Sequence, residues 1–374
     1  MISSYYGLLF SSLLSFSELA KAALRMETNG GGDYDDRRRL DHLPVLHRTV
    51  PDVTVSGQSA GAGMAVQLHV AFSNWVSGAA LFAGAPFYCA KSQLKILVDD
   101  CTLYYAPDTP RLISLTQQWG LLGQIDPTEN LENDKVFLYH GTADTVLDVK
   151  VVENLDIFYE SFIKNQTGGN ITKMYTLNAE HSTPTLDYGG ACNVLEKPFL
   201  GKCDYDGAGV ALNAIYSPDT LFRTTQLDDH LFEFNQTRYM EFGTRYHRAS
   251  DISMGEKGYV YIPRDCQGEK TSHCRVHIAL HGCMQNLDEV GNVYAAHAGY
   301  NHWAEASSIV VLYPYVVISE TLQNYKGCWD WWGYTGPDYG LPTGAQMSVI
   351  KNMVKALLPN MPTTVDVSSE CDSD

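Results

Sequence analysis

A Gly-x-Ser-x-Gly pentapeptide, Gly57-Gln58-Ser59-Ala60-Gly61, stands between the strand-like Val53-Thr54-Val55 and a helix-like stretch from Ala60 to Ala71. Glycine permits the tight strand-to-helix turn that pushes a serine hydroxyl outward. Such a serine becomes a nucleophile when a base takes its proton, and the base needs a carboxylate to hold its tautomer. His140-Gly141-Thr142-Ala143-Asp144 directly follows a strand-like run, Lys135 to Tyr139. His181, in Ala179-Glu180-His181-Ser182-Thr183-Pro184, follows another, Thr172 to Leu177. Ser59, Asp144 and His181 thus fall at strand ends in the order nucleophile, acid, base. The first interval leaves room for two strand–helix units and the second for one. Asp148 and Asp187 are weaker alternatives for the acid. The chemistry indicated is acyl transfer through serine, which needs no metal and no organic cofactor.

The elements that must carry these residues alternate along the chain. Further apolar runs lie at Gly78–Ala83, Tyr259–Ile262, Val276–Leu280 and Ile309–Tyr313. Helical spacing marks Val149–Ile163, Tyr300–Ala306 and Ala345–Leu358. Such alternation predicts an α/β fold with a mostly parallel central sheet flanked by helices. One motif is out of order. Ala279-Leu280-His281-Gly282-Cys283 is a strand ending in a His-Gly turn. In an α/β-hydrolase this element precedes the nucleophile and supplies an oxyanion-hole N–H. Here it comes well after His181, which predicts a circularly permuted α/β-hydrolase with its oxyanion half appended at the C-terminus. The competing reading makes residues 250–360 a separate domain, with only three strands and no site of its own.

The 374 residues suggest two or three domains at ~150 residues each. The motif order replaces that with one catalytic domain over 51–360. It is preceded by a signal peptide (1–22) and a loose leader (23–50), and followed by an acidic tail (361–374). The signal reading rests on a short apolar run after Met1 and a small-x-small site at Ala20-Lys21-Ala22. That run is too short to span a bilayer. The formal net charge is −17, so the basic footprint of nucleic-acid binding is missing. No membrane partner is expected, and the chain is read as a monomer. Nine cysteines contain no CxxC pair, which disfavours zinc-ribbon and thioredoxin-like sites. Cys192/Cys203 and Cys266/Cys274 bracket short polar loops, as disulfide staples do, with Cys89/Cys101 a candidate third pair and Cys283/Cys328 a long-range fourth. Cys371 is left over. Sequons at Asn165, Asn170 and Asn235 fit glycosylation of a secreted chain.

From Val53 to Leu358 the chain resembles the extracellular polyhydroxybutyrate depolymerase family, in its single-domain, circularly permuted form. The resemblance is carried by Ser56-Gly57-Gln58-Ser59-Ala60-Gly61, by His140-Gly141-Thr142-Ala143-Asp144, by Cys274 through Cys283 and by Gly327-Cys328-Trp329-Asp330-Trp331-Trp332-Gly333-Tyr334. It implies Ser59 as nucleophile, His181 as base and Asp144 as its orienter. It also implies the N–H groups of Ala60 and Cys283 as the oxyanion hole. It supports the Cys283–Cys328 pair and points to Trp329, Trp331 and Trp332 as candidates to hold the polyester. Glu180 and Ser182-Thr183 stand where the family has a glycine-rich stretch and an aromatic beside the base. The implied function is a secreted serine esterase on poly-3-hydroxybutyrate. The rival readings are a feruloyl or acetyl-xylan esterase on polysaccharide esters, and an inactive secreted binding protein that kept the fold.

Overall fold

Strand β2 (Val53–Gln58) is buried along its whole length. Helix α1 (Ala60–Ala71) behind it is buried on every side, its two polar residues, Gln67 and His69, being satisfied by Asp330 and Tyr159. Together they form the centre of a computed structural model that describes residues 38–47, 53–164, 170–217, 219–241, 246–268 and 273–361. The signal segment, most of the expected leader, Asn165, Cys371 and the tail beyond Met361 lie outside the described residues.

The other strands of the large sheet are β1 (Arg39–Leu40), β3 (Val76–Phe82), β4 (Lys135–Tyr139) and β5 (Ile171–Met174). Strands β6 (Thr183–Thr185), β7 (Gly190–Ala191) and β8 (Leu200–Lys202) form a small separate sheet. Strands β9 (Leu231–Asn235), β10 (Lys257–Tyr261), β11 (Arg275–Leu280) and β12 (Ile309–Tyr313) complete the large one. Its nine strands run in the order β1-β9-β10-β12-β11-β2-β3-β4-β5. All neighbours are parallel except β9–β10 and β10–β12. Strand β11, from the C-terminal part of the chain, lies directly beside β2 in register Val276↔Val53 to Leu280↔Gly57. The sequence-distant His-Gly turn therefore emerges next to Ser59 in one continuous sheet. This is the permuted strand order.

Each face of the sheet buries its own core. On one side Val53, Val55, Ala79 and Leu81 meet α1 and the helices Val149–Glu160 and Ala345–Leu357. On the other Ala80, Phe82 and Tyr139 meet the helices Gly207–Ile215 and Tyr300–Ser307. The alternation is the period-two pleat of a strand.

The leader is shorter than expected. From Arg39 onward the residues group as one compact unit. Arg39 and Leu40 pair with Glu233 and Phe234, and Leu43 and Leu46 are buried in the core. The Leu46 N–H donates to the Leu357 carbonyl at 2.7 Å. Residues 39–47 therefore belong to the folded unit. No helix among the described residues is long and apolar enough to cross a membrane.

A polar bridge crosses the centre of the sheet. His277 on β11 bonds Thr54 through Nδ1 at 2.7 Å and Ser56 through Nε2 at 2.8 Å, both on β2. Burial pushes its pKa from 6.5 down to about 3, so the folded protein holds it neutral. Burial likewise pushes His281 down to about 4. The unfolded chain binds a proton at such a site below 6.5 and the folded chain does not. The stability each site contributes is therefore full above 6.5 and declines as pH falls toward the folded value. Denaturant midpoints of wild type and His277→Gln, measured down this range, are expected to converge as the wild type loses that contribution. A constant difference across the range would contradict this account.

Candidate active site

Ser59, between β2 and α1, has φ 56° and ψ −119°, left-handed backbone that a side chain adopts only under constraint. The constraint comes from its flanking glycines. A Cβ on Gly57 would lie 2.1 Å from the Gly61 carbonyl oxygen, and one on Gly61 would lie 2.3 Å from that of Leu280. The turn can close, and the helix can approach the end of β11, only with glycine at both positions. Ser59 donates its N–H to the Phe82 carbonyl at 2.9 Å and accepts from the Gly63 N–H at 3.0 Å. Its side chain is partly open to solvent.

Asp144, the candidate acid, lies in the loop after β4. Asp144 Oδ1 accepts the Val146 and Leu147 N–H groups at 2.9 and 2.8 Å, while Oδ2 lies 2.7 Å from His181 Nδ1. Burial raises the carboxyl pKa. The charge and hydrogen bond of His181 and the two backbone donors outweigh that and hold Asp144 below the usual carboxylate value. His140 Nε2 bonds the Leu147 carbonyl at 2.8 Å and closes the loop from inside.

His181, the candidate base, follows β5. His181 spends Nδ1 on Asp144, and its buried Nε2 has no hydrogen-bond partner. Both ring nitrogens are thus accounted for: one oriented, one available to take a proton. Asp148 is instead the N-cap of the helix Val149–Glu160, accepting from Lys150. Asp187 is exposed beside Tyr188 in a separate polar cavity. Neither alternative acid reaches His181.

Ala60 opens helix α1, where N–H groups have no acceptor within the helix. On the other side Gly282 donates to Gln285 Oε1 at 2.6 Å and Met284 to the Lys326 carbonyl at 2.7 Å. Cys283 lies between these two tethered N–H groups and is bonded to Cys328, across a sequence separation of 45. The pairs Cys89–Cys101, Cys192–Cys203 and Cys266–Cys274 are likewise disulfides.

The three tryptophans expected to hold the polyester divide here. Trp329 is fully buried and its ring lies 5.6 Å from that of His281, so it cannot hold a substrate. Trp331 is nearly buried and packs over Gly63 of α1. Trp332 is half-buried and contacts Tyr334. Asn170 is also misread as a glycan site. It is 2 % exposed, its Nδ2 donates to the Asn133 carbonyl and its Oδ1 accepts from Lys135. Asn235 is partly exposed, with its Oδ1 accepting from Thr237. Gln285 is a residue that the motifs do not flag. Beyond holding Gly282, its Nε2 donates to the Pro198 carbonyl at 2.9 Å, tying the His-Gly turn to the segment before β8. Its position two residues after the loop cysteine is the only sequence signal it leaves. No group of histidines, cysteines and carboxylates suited to a metal ion is found among the described residues.

No family model matches the chain. A poly(3-hydroxybutyrate) depolymerase of Delftia acidovorans is 38 % identical over 316 residues, 84 % of this chain, and the match spans 61 % of that bacterial protein. A polyhydroxybutyrate depolymerase of Talaromyces funiculosus is 31 % identical over 330 residues, covering 84 % of this chain and 92 % of the fungal one. The crystal structure of the PHB depolymerase from Penicillium funiculosum superposes with a TM-score of 0.75 at 30 % identity, over 86 % of this chain and all of that one. A PHB depolymerase with serine replaced by alanine, complexed with an R3HB trimer, gives 0.73 at 29 % identity. With the permuted sheet and the bonded Asp144–His181 pair, these likenesses establish the chain as a member of the polyhydroxybutyrate depolymerase family.

Proposed function

We propose that the protein is a secreted serine esterase that hydrolyses the ester bonds of a poly-3-hydroxybutyrate-type polyester. The observation that carries the proposal is His181, with Nδ1 committed to Asp144 and Nε2 unpartnered, on a loop that Thr183 joins to Gln58, the residue before Ser59. Ser59 Oγ attacks the ester carbonyl while its proton passes to His181 Nε2. The Ala60 and Cys283 N–H groups receive the oxyanion, a contribution whose loss typically costs roughly 10²–10³ in rate per donor. His181 returns the proton to the departing alkoxide. Water, deprotonated by the same nitrogen, then attacks the acyl-enzyme and releases the acid and the Ser59 hydroxyl. The four disulfides support an oxidising destination.

A solid polymer also needs a surface to lie against. With Trp329 buried, that surface is better sought at Leu103, Tyr104 and Tyr105, which are 41 %, 59 % and 65 % exposed. The Thr102 carbonyl accepts the Asp148 N–H at 2.8 Å, so this apolar corner adjoins the acid loop. Tyr104→Ser/Tyr105→Ser is expected to slow clearing of a polymer suspension about tenfold, the loss of two apolar contacts, with soluble-ester turnover unchanged. Equal clearing by variant and wild type would remove these residues from the polymer surface.

The substrate class is tested by offering the wild-type protein hydroxybutyrate oligomers and polymer beside feruloylated and acetylated xylan. Release of 3-hydroxybutyrate with little ferulate or acetate is expected. The reverse pattern would reassign the site to polysaccharide esters, and no turnover of any of them would mark a binding protein.

A further inference from the structure

Glu180 immediately precedes the base, and the reaction as described gives it no task. It is 6 % exposed. Its Oε2 accepts the His181 N–H at 2.6 Å and the Thr145 N–H at 3.2 Å, while Oε1 accepts the Thr145 hydroxyl at 2.6 Å. Thr145 directly follows the acid. One carboxylate thus grips the residue after Asp144 and the backbone of His181 together. The two loops are already zipped below it, Thr142 N–H to the Leu177 carbonyl at 2.8 Å and Ala143 N–H to the Ala179 carbonyl at 3.1 Å. Glu180 continues that zipper to the level of the Asp144–His181 bond. Its own N–H donates to the Cys192 carbonyl at 2.8 Å, anchoring the clamp to the loop closed by Cys192–Cys203.

Three hydrogen bonds to one side chain hold both loops at a single position. Loop-borne catalytic groups need such support, because a shift of about 1 Å can cost on the order of 10²-fold in rate. We propose that Glu180 is a positioning residue: its carboxylate clamps the acid loop to the base loop and fixes the geometry of the His181–Asp144 pair relative to Ser59. The proposal rests on the reading of Ser59, Asp144 and His181 as the catalytic triad.

The bonding pattern distinguishes two substitutions. In Glu180→Gln the amide oxygen can replace Oε2, and the amide nitrogen can donate to the Thr145 hydroxyl, so all three bonds survive with one reversed. Glu180→Ala loses all three. Turnover of a soluble p-nitrophenyl ester, measured well below each variant's melting temperature, is expected to show kcat down about 10–100-fold in Glu180→Ala with KM within about threefold. Glu180→Gln is expected to stay within about threefold of wild type in both. Thr145→Val, which removes one exposed hydroxyl and keeps the fold, is expected to lower kcat about 3–10-fold, the effect of one hydrogen bond. A purely structural Glu180 would lower the melting temperature and leave kcat of the folded protein unchanged. The clamp is overturned if Glu180→Ala keeps wild-type kcat, or if Glu180→Gln falls as far as Glu180→Ala. Should Glu180→Ala not fold, wild-type kcat in Thr145→Val overturns it instead. Ser59→Ala run in parallel separates the two failures. Activity persisting there overturns the triad and the clamp with it, whereas an inactive Ser59→Ala beside a fully active Glu180→Ala overturns the clamp alone.

Discussion

Ser59→Ala is expected to lower kcat on a soluble ester by about 10⁴-fold or more, with KM little changed. The substitution removes one oxygen and leaves the Cβ, so the backbone constraint at φ 56° is the same in both proteins. The N–H and carbonyl bonds of residue 59 to Phe82 and Gly63 also remain. Melting temperature should therefore match wild type, which separates loss of the nucleophile from loss of the fold. Ser59→Gly sharpens the comparison. Glycine relieves the left-handed strain, which costs on the order of 1–3 kcal/mol for a residue with a side chain. It is expected to be equally inactive and more stable. A Ser59→Ala protein with wild-type melting and appreciable turnover would mean that another group attacks the ester.

Asp144→Asn is expected to be nearly as damaging, about 10³–10⁴-fold in kcat, through a different cause. The asparagine carbonyl would keep the bonds from Val146 and Leu147 that Asp144 Oδ1 now accepts. That choice turns the amide nitrogen toward His181 Nδ1, which must then accept rather than donate. The imidazole proton is driven to Nε2, the atom that has to take the Ser59 proton. The loop geometry survives and the base is blocked. The assay is again soluble-ester turnover at a pH where wild type is fully active. A loss of less than tenfold would show that Asp144 is not the orienter.

Much of this was legible in the sequence because it depends on local rules. The glycines of Gly57-Gln58-Ser59-Ala60-Gly61 announce a tight turn, and the structure shows the carbonyl clashes that require them. Strand ends placed Asp144 and His181 without reference to any long-range contact. The displaced His281-Gly282 turn pointed to the permutation, and the pairing of β11 with β2 bears it out. What escaped was decided by residues far apart in the chain. Trp329 looks like a substrate platform until His281 and the core close over it. Leu43 and Leu46 look like leader until Tyr239 and Leu357 supply their hydrogen bonds. Strands β6, β7 and β8 are two or three residues long, too short for a period-two pattern to register. Glu180 was visible only as a departure from the family pattern, because its partners Thr145 and Cys192 come from separate loops.

The central claim is an acyl-enzyme on Ser59 formed from a hydroxybutyrate ester. Its most direct test is to acid-quench the wild-type protein during turnover of a 3-hydroxybutyrate trimer and to determine by peptide mass spectrometry where the acyl group sits. A hydroxybutyryl ester on the peptide carrying Ser59, absent from Ser59→Ala, is the predicted result. Trimer hydrolysis at full rate with Ser59 unmodified throughout would contradict it.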